Sequence, residues 1–518
     1  MTFQLVGLRN TPSIALVISS LITALWCMST WRFGFDLADE GYYWYGAQRM
    51  LHGEMPMRDF MAYDIGRYAW SAAVMKLLGD SGIVGARVGA ALYQVCTIAV
   101  GVLLVLRATK NNLSTPGQVW LACVAAITLN LWVYPYYKVF DYGTSILIVA
   151  MLVMIFGSQS PRRWFSAGML LGLAAIMGRN HGVYGAVAAL LLLVFLLIKQ
   201  RTPGALLRLS LAFIAGVVVG FSPTFVLCVL VDGFTDAFVA SIFDLINSGA
   251  TNISLDVPWP WTFDRSVLGM LLWANGVSQG IGFIAILALP LMAIALLMFR
   301  PLHRLTSTDI LMLCTSLVGI IYAHYAYSRA DLTHLALSIA PLLLLVLSTA
   351  TSFKMATLTS AVVAGGTMIC MAAENPLLSQ WILNRPFATV TVNGSTLYVF
   401  PHIKEQLRHV EDALAARPQA RDNFLALPNA PALYAINELR MPIWEIYSLW
   451  PRDAAFEAAE VAKLNRAPPD LVFLSDHALD NRQELRYSNT HPILYQWILD
   501  NYKKQPAKPL EPFDIYVK

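Results

Sequence analysis

Charge is what this chain has least of. Asp, Glu, Lys and Arg make up 13% of its 518 residues, against 57% hydrophobic, and mean hydropathy is +0.57. A soluble domain carries roughly 25% charged residues. The shortage excludes a wholly soluble protein and points to a polytopic membrane protein with some soluble mass. Neither sign of charge dominates: the formal net charge of +4 is small and spread out, and nothing in it suggests a nucleic-acid partner. Cysteine is also scarce. Cys27, Cys96, Cys123, Cys228, Cys314 and Cys370 all fall inside apolar runs, with no CxxC and no His at ligand spacing. They read as small packing residues, which sets aside a disulfide framework and a zinc site. No strong metal cluster is present, so neither a metal nor another cofactor is expected; a divalent metal stays open but unsupported by the residues. No internal repeat is visible. The N-terminal stretch has an early Arg9 and an apolar run from Ile14, but no convincing small-residue cleavage site, so a retained signal-anchor helix is expected.

What the chain does have is long apolar runs. A spanning helix needs about 20 mostly apolar residues, and on that criterion about eleven spans are expected. They fall near 12–33, 82–106, 118–136, 141–157, 163–178, 182–199, 205–231, 279–299, 309–327, 333–350 and 355–373. Alternate connections are short and basic, carrying Arg107 and Lys110, Arg162 and Arg163, Lys199, Arg201 and Arg208, Arg300 and Arg304, then Lys354. Such loops collect on the cytoplasmic side. The expected topology therefore has the N-terminus inside and the C-terminus outside. The long segments 36–81 and 232–278 and the tail from Glu374 then lie on the outer face. The tail is richer in charge and proline. Asn423–Leu427, Asp470–Leu474 and Asp514–Val517 read as strands. His402–Ala416, Asp453–Asn465 and Pro492–Tyr502 read as helices. The expected domains are thus 1–373, spanning the membrane, and 374–518, a soluble α/β domain that caps or docks over the membrane site.

The acidic pair Asp39–Glu40 stands just past the first span, ahead of GYYWYGAQRML, a stretch amphipathic at helical spacing with Tyr43, Ala47, Met50 and Leu51 on one side. Its aromatics suit the headgroup zone. The plainer reading is that Asp39 caps this helix and Glu40 complements its dipole. The functional reading is that a carboxylate held at the membrane surface abstracts a proton from a hydroxyl beside a lipid-borne substrate. The two are compatible. Asp141 opens the fourth expected span after YPYYKVF and carries the same pair of readings, cap or functional acid. Cations gather on the same expected face: Arg67 at the start of GRYAWSAAVMKLLG, Lys138 before Asp141, Arg179 and His181 in GRNHG, and Arg329 and His334 in SRADLTH. Several helix ends converging in this way would suit a lipid phosphate; singly, each cation could equally neutralise a local acid or meet bulk headgroups.

The runs DEGYYWYGAQRMLHGEMPMRDF and GRYAWSAAVMKLLGDSGIVGARVGAAL resemble the start of the GT-C superfamily of polyprenyl-phosphate-dependent membrane glycosyltransferases. The nearest group is the protein-mannosyltransferase and aminoarabinose-transferase-like clade. WFSAGMLLGLAAIMGRNHGVYGAVAALLLL and LLRLSLAFIAGVVVGFSPTFVLCVLVDGF are similar to that clade's fifth to seventh spans. The resemblance implies a GT-C fold and a catalytic acid in the first outer loop, which maps to Asp39 with Glu40 as neighbour. It also implies a second acid after the third span, which maps to Asp141. Many relatives have a Lys-Pro pair in the first loop; here the chain reads Tyr63-Asp64-Ile65-Gly66-Arg67, so the phosphate-binding cation is expected from Arg67 or from the other corners.

The implied chemistry is an inverting displacement. Asp39 takes the proton of an acceptor hydroxyl as that oxygen attacks the anomeric carbon of a polyprenyl-phosphate-linked sugar. Base catalysis of this kind contributes about 10²–10⁴-fold. The lipid phosphate departs as a stable anion, stabilised by cations. The acceptor could be a glycan, a lipid or a protein. The resemblance also favours a bacterial cytoplasmic membrane. Two rival classes stand beside this reading: a lipid-linked sugar flippase or other transporter, which calls for polar residues along the span interiors, and a non-catalytic assembly protein whose spans only hold the tail outside.

Overall fold

The computed structural model describes residues 11–200, 203–248, 252–506 and 511–518. Arg9 and Arg201, counted above among the basic residues, lie outside the described residues. In chain order the helices begin with α1 (Thr11–Thr30), α2 (Asp39–Leu51), α3 (Gly66–Leu78), α4 (Ile83–Thr109) and α5 (Thr115–Leu131). There follow α6 (Val139–Ile155), α7 (Pro161–Met177), α8 (Arg179–Gln200), α9 (Pro203–Leu230), α10 (Phe234–Ser248) and α11 (Arg265–Met298). Next come α12 (Ser307–Ser328), α13 (Leu332–Ser338), α14 (Ala340–Ser348), α15 (Phe353–Met371) and α16 (Pro376–Leu383). The tail holds β1 (Ala388–Val392), β2 (Ser395–Val399), α17 (Pro401–Ala416), β3 (Phe424–Leu427), α18 (Ala432–Ile436) and α19 (Ala454–Arg466). It closes with β4 (Leu471–Leu474), α20 (Tyr487–Thr490), α21 (Pro492–Asn501), β5 (Lys503–Lys504) and β6 (Asp514–Val517).

A helix stands at each place where a span is expected. Among the described residues, seven are long and apolar enough to cross a membrane by themselves: Ile83–Thr109, Tyr136–Ile155, Arg179–Lys199, Gly204–Leu230, Arg265–Met298, Ser307–Ser328 and Phe353–Met371. Leu16–Thr30 and Thr115–Leu131 are shorter apolar helices. The chain is a multi-pass membrane protein. Two expectations need correction. The run 333–350 is not one helix but α13 and α14, parted at Ile339, because Pro341 in the first turn of α14 has no N–H to continue the ladder of α13. The span placed at 279–299 begins 14 residues earlier than expected, at Arg265, where Asp264 caps Ser266 N; it kinks at Gly269 (φ 74°).

The chain forms two compact units: Met1–Trp31, Ala90–Leu230 and Thr251–Arg385 make one; Arg32–Gly89, Val231–Ala250 and Pro386–Lys518 make the other. In the first, the helical unit, α7 and α9 meet through GMLLG (168–172) and GVVVG (216–220). A Cβ at Gly168 or Gly172 would run into the carbonyls of Phe213 and Val217, and one at Gly216 or Gly220 into those of Phe165 and Met169. Only glycine permits so close a backbone approach, which supplies packing where the hydrophobic effect between lipid-facing helices is weak. A polar ladder links three further helices of this unit: Gln94 of α4 donates to Asn130 Oδ1 of α5 at 2.7 Å, and Asn130 donates to Thr23 Oγ1 of α1 at 3.0 Å. Each such bond is worth about 0.6 kcal/mol on average.

The second, mixed unit has a four-stranded sheet in the order β3-β4-β6-β5, with β3 and β4 parallel and the rest antiparallel. Phe424–Leu427 and Leu471–Leu474 are buried at every position, as expected of continuous apolar strands. Expected tail elements recur within a residue or two of their places. The hairpin β1–β2, turning at Asn393-Gly394, is an addition. Its second strand grips the chain beyond α1, with Tyr398 N donating to Arg32 O at 2.7 Å and Gly34 N to Tyr398 O at 2.8 Å. The membrane-facing expectation for α2 is overturned. Tyr43, Trp44, Tyr45, Gln48 and Arg49 are buried inside this unit. Tyr43 Oη donates to Ala86 O at 2.9 Å, Trp44 Nε1 to Ser81 O at 2.9 Å and Gln48 Nε2 to Ala435 O at 3.1 Å, while Tyr45 Oη accepts from Met441 N at 3.0 Å. Aromatics with polar tips find their partners in α3, α4 and the tail.

Candidate active site

Asp39 is the first residue of α2, but it is not its cap: Ala38 holds that position and no side chain caps the helix. The capping expectation for Asp39 therefore fails. Its Oδ1 instead accepts a 2.7 Å hydrogen bond from Tyr447 Oη. Asp36 takes the turn-forming role, its Oδ1 accepting from Ala38 N at 2.7 Å. Tyr447 belongs to WEIYSLW (444–450) of the tail and packs on Tyr42, ring centroids 5.3 Å apart. Tyr42 also meets Tyr63 at 5.9 Å and Tyr68 at 6.2 Å. The Asp39 carboxylate thus sits against a cluster of tyrosines. Burial first, and the Asp39 carboxylate second, push the Tyr447 hydroxyl well above its ordinary range. It stays a donor.

Glu40 points elsewhere. It is 2% exposed and takes a two-pronged ion pair from Arg87 of α4: Nε to Oε1 at 2.8 Å and Nη2 to Oε2 at 3.1 Å. Arg87 Nη2 also donates to Gly34 O at 2.8 Å. Burial raises the Glu40 carboxyl above the usual carboxylate range, against the pull of Arg87. The pair ties the start of α2 to α4 and so fixes the backbone that carries Asp39. Arg67, second residue of α3, pairs with Asp64 at 3.3 Å.

Asp141 lies in the helical unit. It too is no cap, since α6 starts at Val139 after Lys138. It is buried, and its Oδ1 is 3.1 Å from His181 Nε2. His181, the third residue of α8, is fully buried; its Nδ1 is 2.7 Å from Tyr322 Oη of α12, whose ring stacks on the imidazole at 5.7 Å and 9°. An acid, an imidazole and a phenol from three helices therefore form one chain of hydrogen bonds. Lys138 adjoins the start of α6 and Arg179 is the first residue of α8. A separate cluster closes the end of α12. Arg329 Nε donates to Asp331 Oδ2 at 2.8 Å, and Asp331 Oδ1 caps α13 by accepting from His334 N at 2.8 Å, with His334 Nδ1 at the same distance. Burial works to raise the Asp331 carboxyl, but the bonds from His334 and Arg329 outweigh it and hold it below its ordinary range.

The structure therefore joins Asp141 to His181 and Arg329 to His334, and it places Asp39, Glu40 and Arg67 in the mixed unit. Among the described residues no group of three or more His, Cys, Asp or Glu side chains stands together as a metal site. Three participants escaped the sequence. Arg87 carried a signal, a lone charge within an apolar run, which needs a partner. Tyr322 and Tyr447 carried little, since each looks like one aromatic among many.

No protein-family profile matches the chain, and no curated protein matches its sequence. Among solved structures it is similar to ArnT from Cupriavidus metallidurans in the apo state, with TM-score 0.54 and 13% identity over 98% of this chain and 96% of that one. It is also similar to the Archaeoglobus fulgidus oligosaccharyltransferase in the apo form, with TM-score 0.43 and 13% identity over 98% of this chain and 74% of that one. A third likeness is to the archaeal oligosaccharyltransferase AglB from Archaeoglobus fulgidus in complex with an inhibitory peptide and a dolichol-phosphate: TM-score 0.31, 13% identity, 89% of this chain and 58% of that one. The first likeness extends over nearly both whole chains. The chain shares its fold with ArnT, with a small sheet region after the last span.

Proposed function

We propose that the chain is an inverting glycosyltransferase that moves a sugar from a polyprenyl-phosphate-linked donor to an acceptor hydroxyl, with Asp39 as general base. The observation that carries this reading is Asp39 itself: a carboxylate at a helix start that does not cap its helix and is held by a phenol at the edge of a tyrosine cluster. The GT-C fold supports it. In this account Glu40 does not touch the substrate; with Arg87 it fixes the helix start. Asp141, oriented by His181, positions groups around the reacting centre. Arg67, Lys138, Arg179, Arg329 and His334 are the candidate donors to the lipid phosphate, where they would stabilise the departing anion. His181 has both ring nitrogens engaged and serves Asp141 instead. The site faces the outer side of a bacterial cytoplasmic membrane, with the C-terminal tail on the same side and the N-terminus inside.

The test uses the purified chain in proteoliposomes with a panel of polyprenyl-phosphate-linked hexoses and pentoses, and glycan, lipid and peptide acceptors. One member of the panel should release its lipid phosphate and yield a glycosylated acceptor of inverted anomeric configuration. Translocation of the intact lipid-linked sugar without cleavage would instead establish a flippase and end this reading.

A further inference from the structure

Tyr447 lies 408 residues from Asp39 in sequence. The segment that presents it is fastened on both sides. Met61 N donates to Trp444 O at 2.9 Å, Trp444 Nε1 to Met57 O at 2.9 Å, and Ser448 N to Pro428 O at 3.0 Å. Between them, the buried Glu445 takes Arg452 Nε at 2.6 Å and His491 Nε2 at 2.7 Å. The Tyr447 ring is set at 62° against Tyr42. A phenol held this way at backbone and ring has no freedom to look for another acceptor.

We infer that Tyr447 is a positioning residue of the proposed reaction: its hydroxyl holds Asp39 Oδ1 in the reactive orientation and favours the carboxylate form, so that the soluble tail completes the active site. The inference rests on the reading of Asp39 as the base. A neutral donor to a carboxylate stabilises its ionised form and lowers its pKa. The hydroxyl stays protonated, because burial and then Asp39, Asp36 and Tyr63 oppose its ionisation. Charges in this region include Asp36, the Glu40–Arg87 pair and the Asp64–Arg67 pair, with Glu445 and Arg452 acting on Tyr63, which Asp39 also influences. All of them remain in Tyr447→Phe, so a change in how Asp39 titrates reports the lost hydroxyl.

The experiment has two readouts on the full-length protein. The first needs no substrate: infrared difference titration of the Asp39 carboxylate band, wild type minus Asp39→Asn, repeated in a Tyr447→Phe background. The second is the pH profile of kcat/KM with whichever polyprenyl-phosphate sugar of the panel turns over. In Tyr447→Phe the Asp39 titration and the acid limb should both move up by about one pH unit. Turnover one unit below the wild-type limb should then fall by roughly tenfold, with KM for the donor unchanged. Tyr434→Phe is the control: its hydroxyl, buried in the same tail, accepts from Ala426 N at 2.8 Å, and its loss should leave the limb in place. An unmoved Asp39 titration in Tyr447→Phe, or an equal shift in Tyr434→Phe, would overturn the inference. A shifted titration in a protein that consumes no lipid-linked sugar would show that Tyr447 tunes the Asp39 carboxylate but would overturn the functional reading, and the catalytic role of Tyr447 with it.

Discussion

At the scale of single residues, the chain separates two neighbouring acids by what each meets. Asp39 accepts from a phenol, and Glu40 is sealed against a guanidinium. Asp39 is half-buried, whereas Glu40 is buried in a structural ion pair. Removing one partner of a buried pair leaves an uncompensated charge, which costs about 3–5 kcal/mol. Arg87→Ala should therefore lower stability by about that amount and Glu40→Gln/Arg87→Met by far less, as read by thermal unfolding in detergent. Equal losses in both variants would show that the pair is not what ties α2 to α4. The sequence made Asp39 legible as an unusual acid at a span's edge. It could not show that Asp39 does not cap its helix, because capping depends on φ and ψ at Ala38, and a two-residue shift of the helix start at Asp141 has the same origin.

At the scale of elements, apolar periodicity was a good guide wherever a helix is continuous. It failed at Pro341, where two short helices replace one span, and at α2, whose aromatics were expected at the headgroup zone but are packed inside the protein. A periodic pattern records which residues avoid water, and tertiary packing serves as well as lipid. The tail's strands were legible from their uninterrupted apolar runs, whereas the β1–β2 hairpin lies in ATVTVNGSTLYV, whose Asn-Gly turn was signal enough for it. The α7–α9 contact is written in the sequence as two small-xxx-small repeats. Gly216→Leu should cost at least about 1–3 kcal/mol through overpacking against the Phe165 carbonyl. Gly365→Ala on α15, where an added Cβ meets nothing within 4 Å, should be neutral or mildly stabilising. Thermal unfolding of the two variants side by side checks this; similar behaviour would mean that the close approach is not a source of stability.

At the scale of the whole molecule, sequence order and spatial order part company. The compact mixed unit is assembled from the first long connection, the segment Val231–Ala250 and the tail, and the tail supplies Tyr447 to Asp39. A linear reading divides the chain after the last span and so sees the tail only as a cap or docking domain; the long-range hydrogen bonds that join it to α2 have no periodicity to betray them. The likeness to ArnT extends over the whole chain, tail included, so the fold of the tail is part of the common architecture. Asp39 remains the centre of the account. Its direct test is Asp39→Asn in the purified full-length protein, assayed with the lipid-phosphate sugar that the wild type consumes. Asparagine keeps the shape and still accepts from Tyr447, so folding should match wild type while kcat falls by about 10²–10⁴-fold. Turnover near the wild-type rate in a normally folded Asp39→Asn protein would contradict the account.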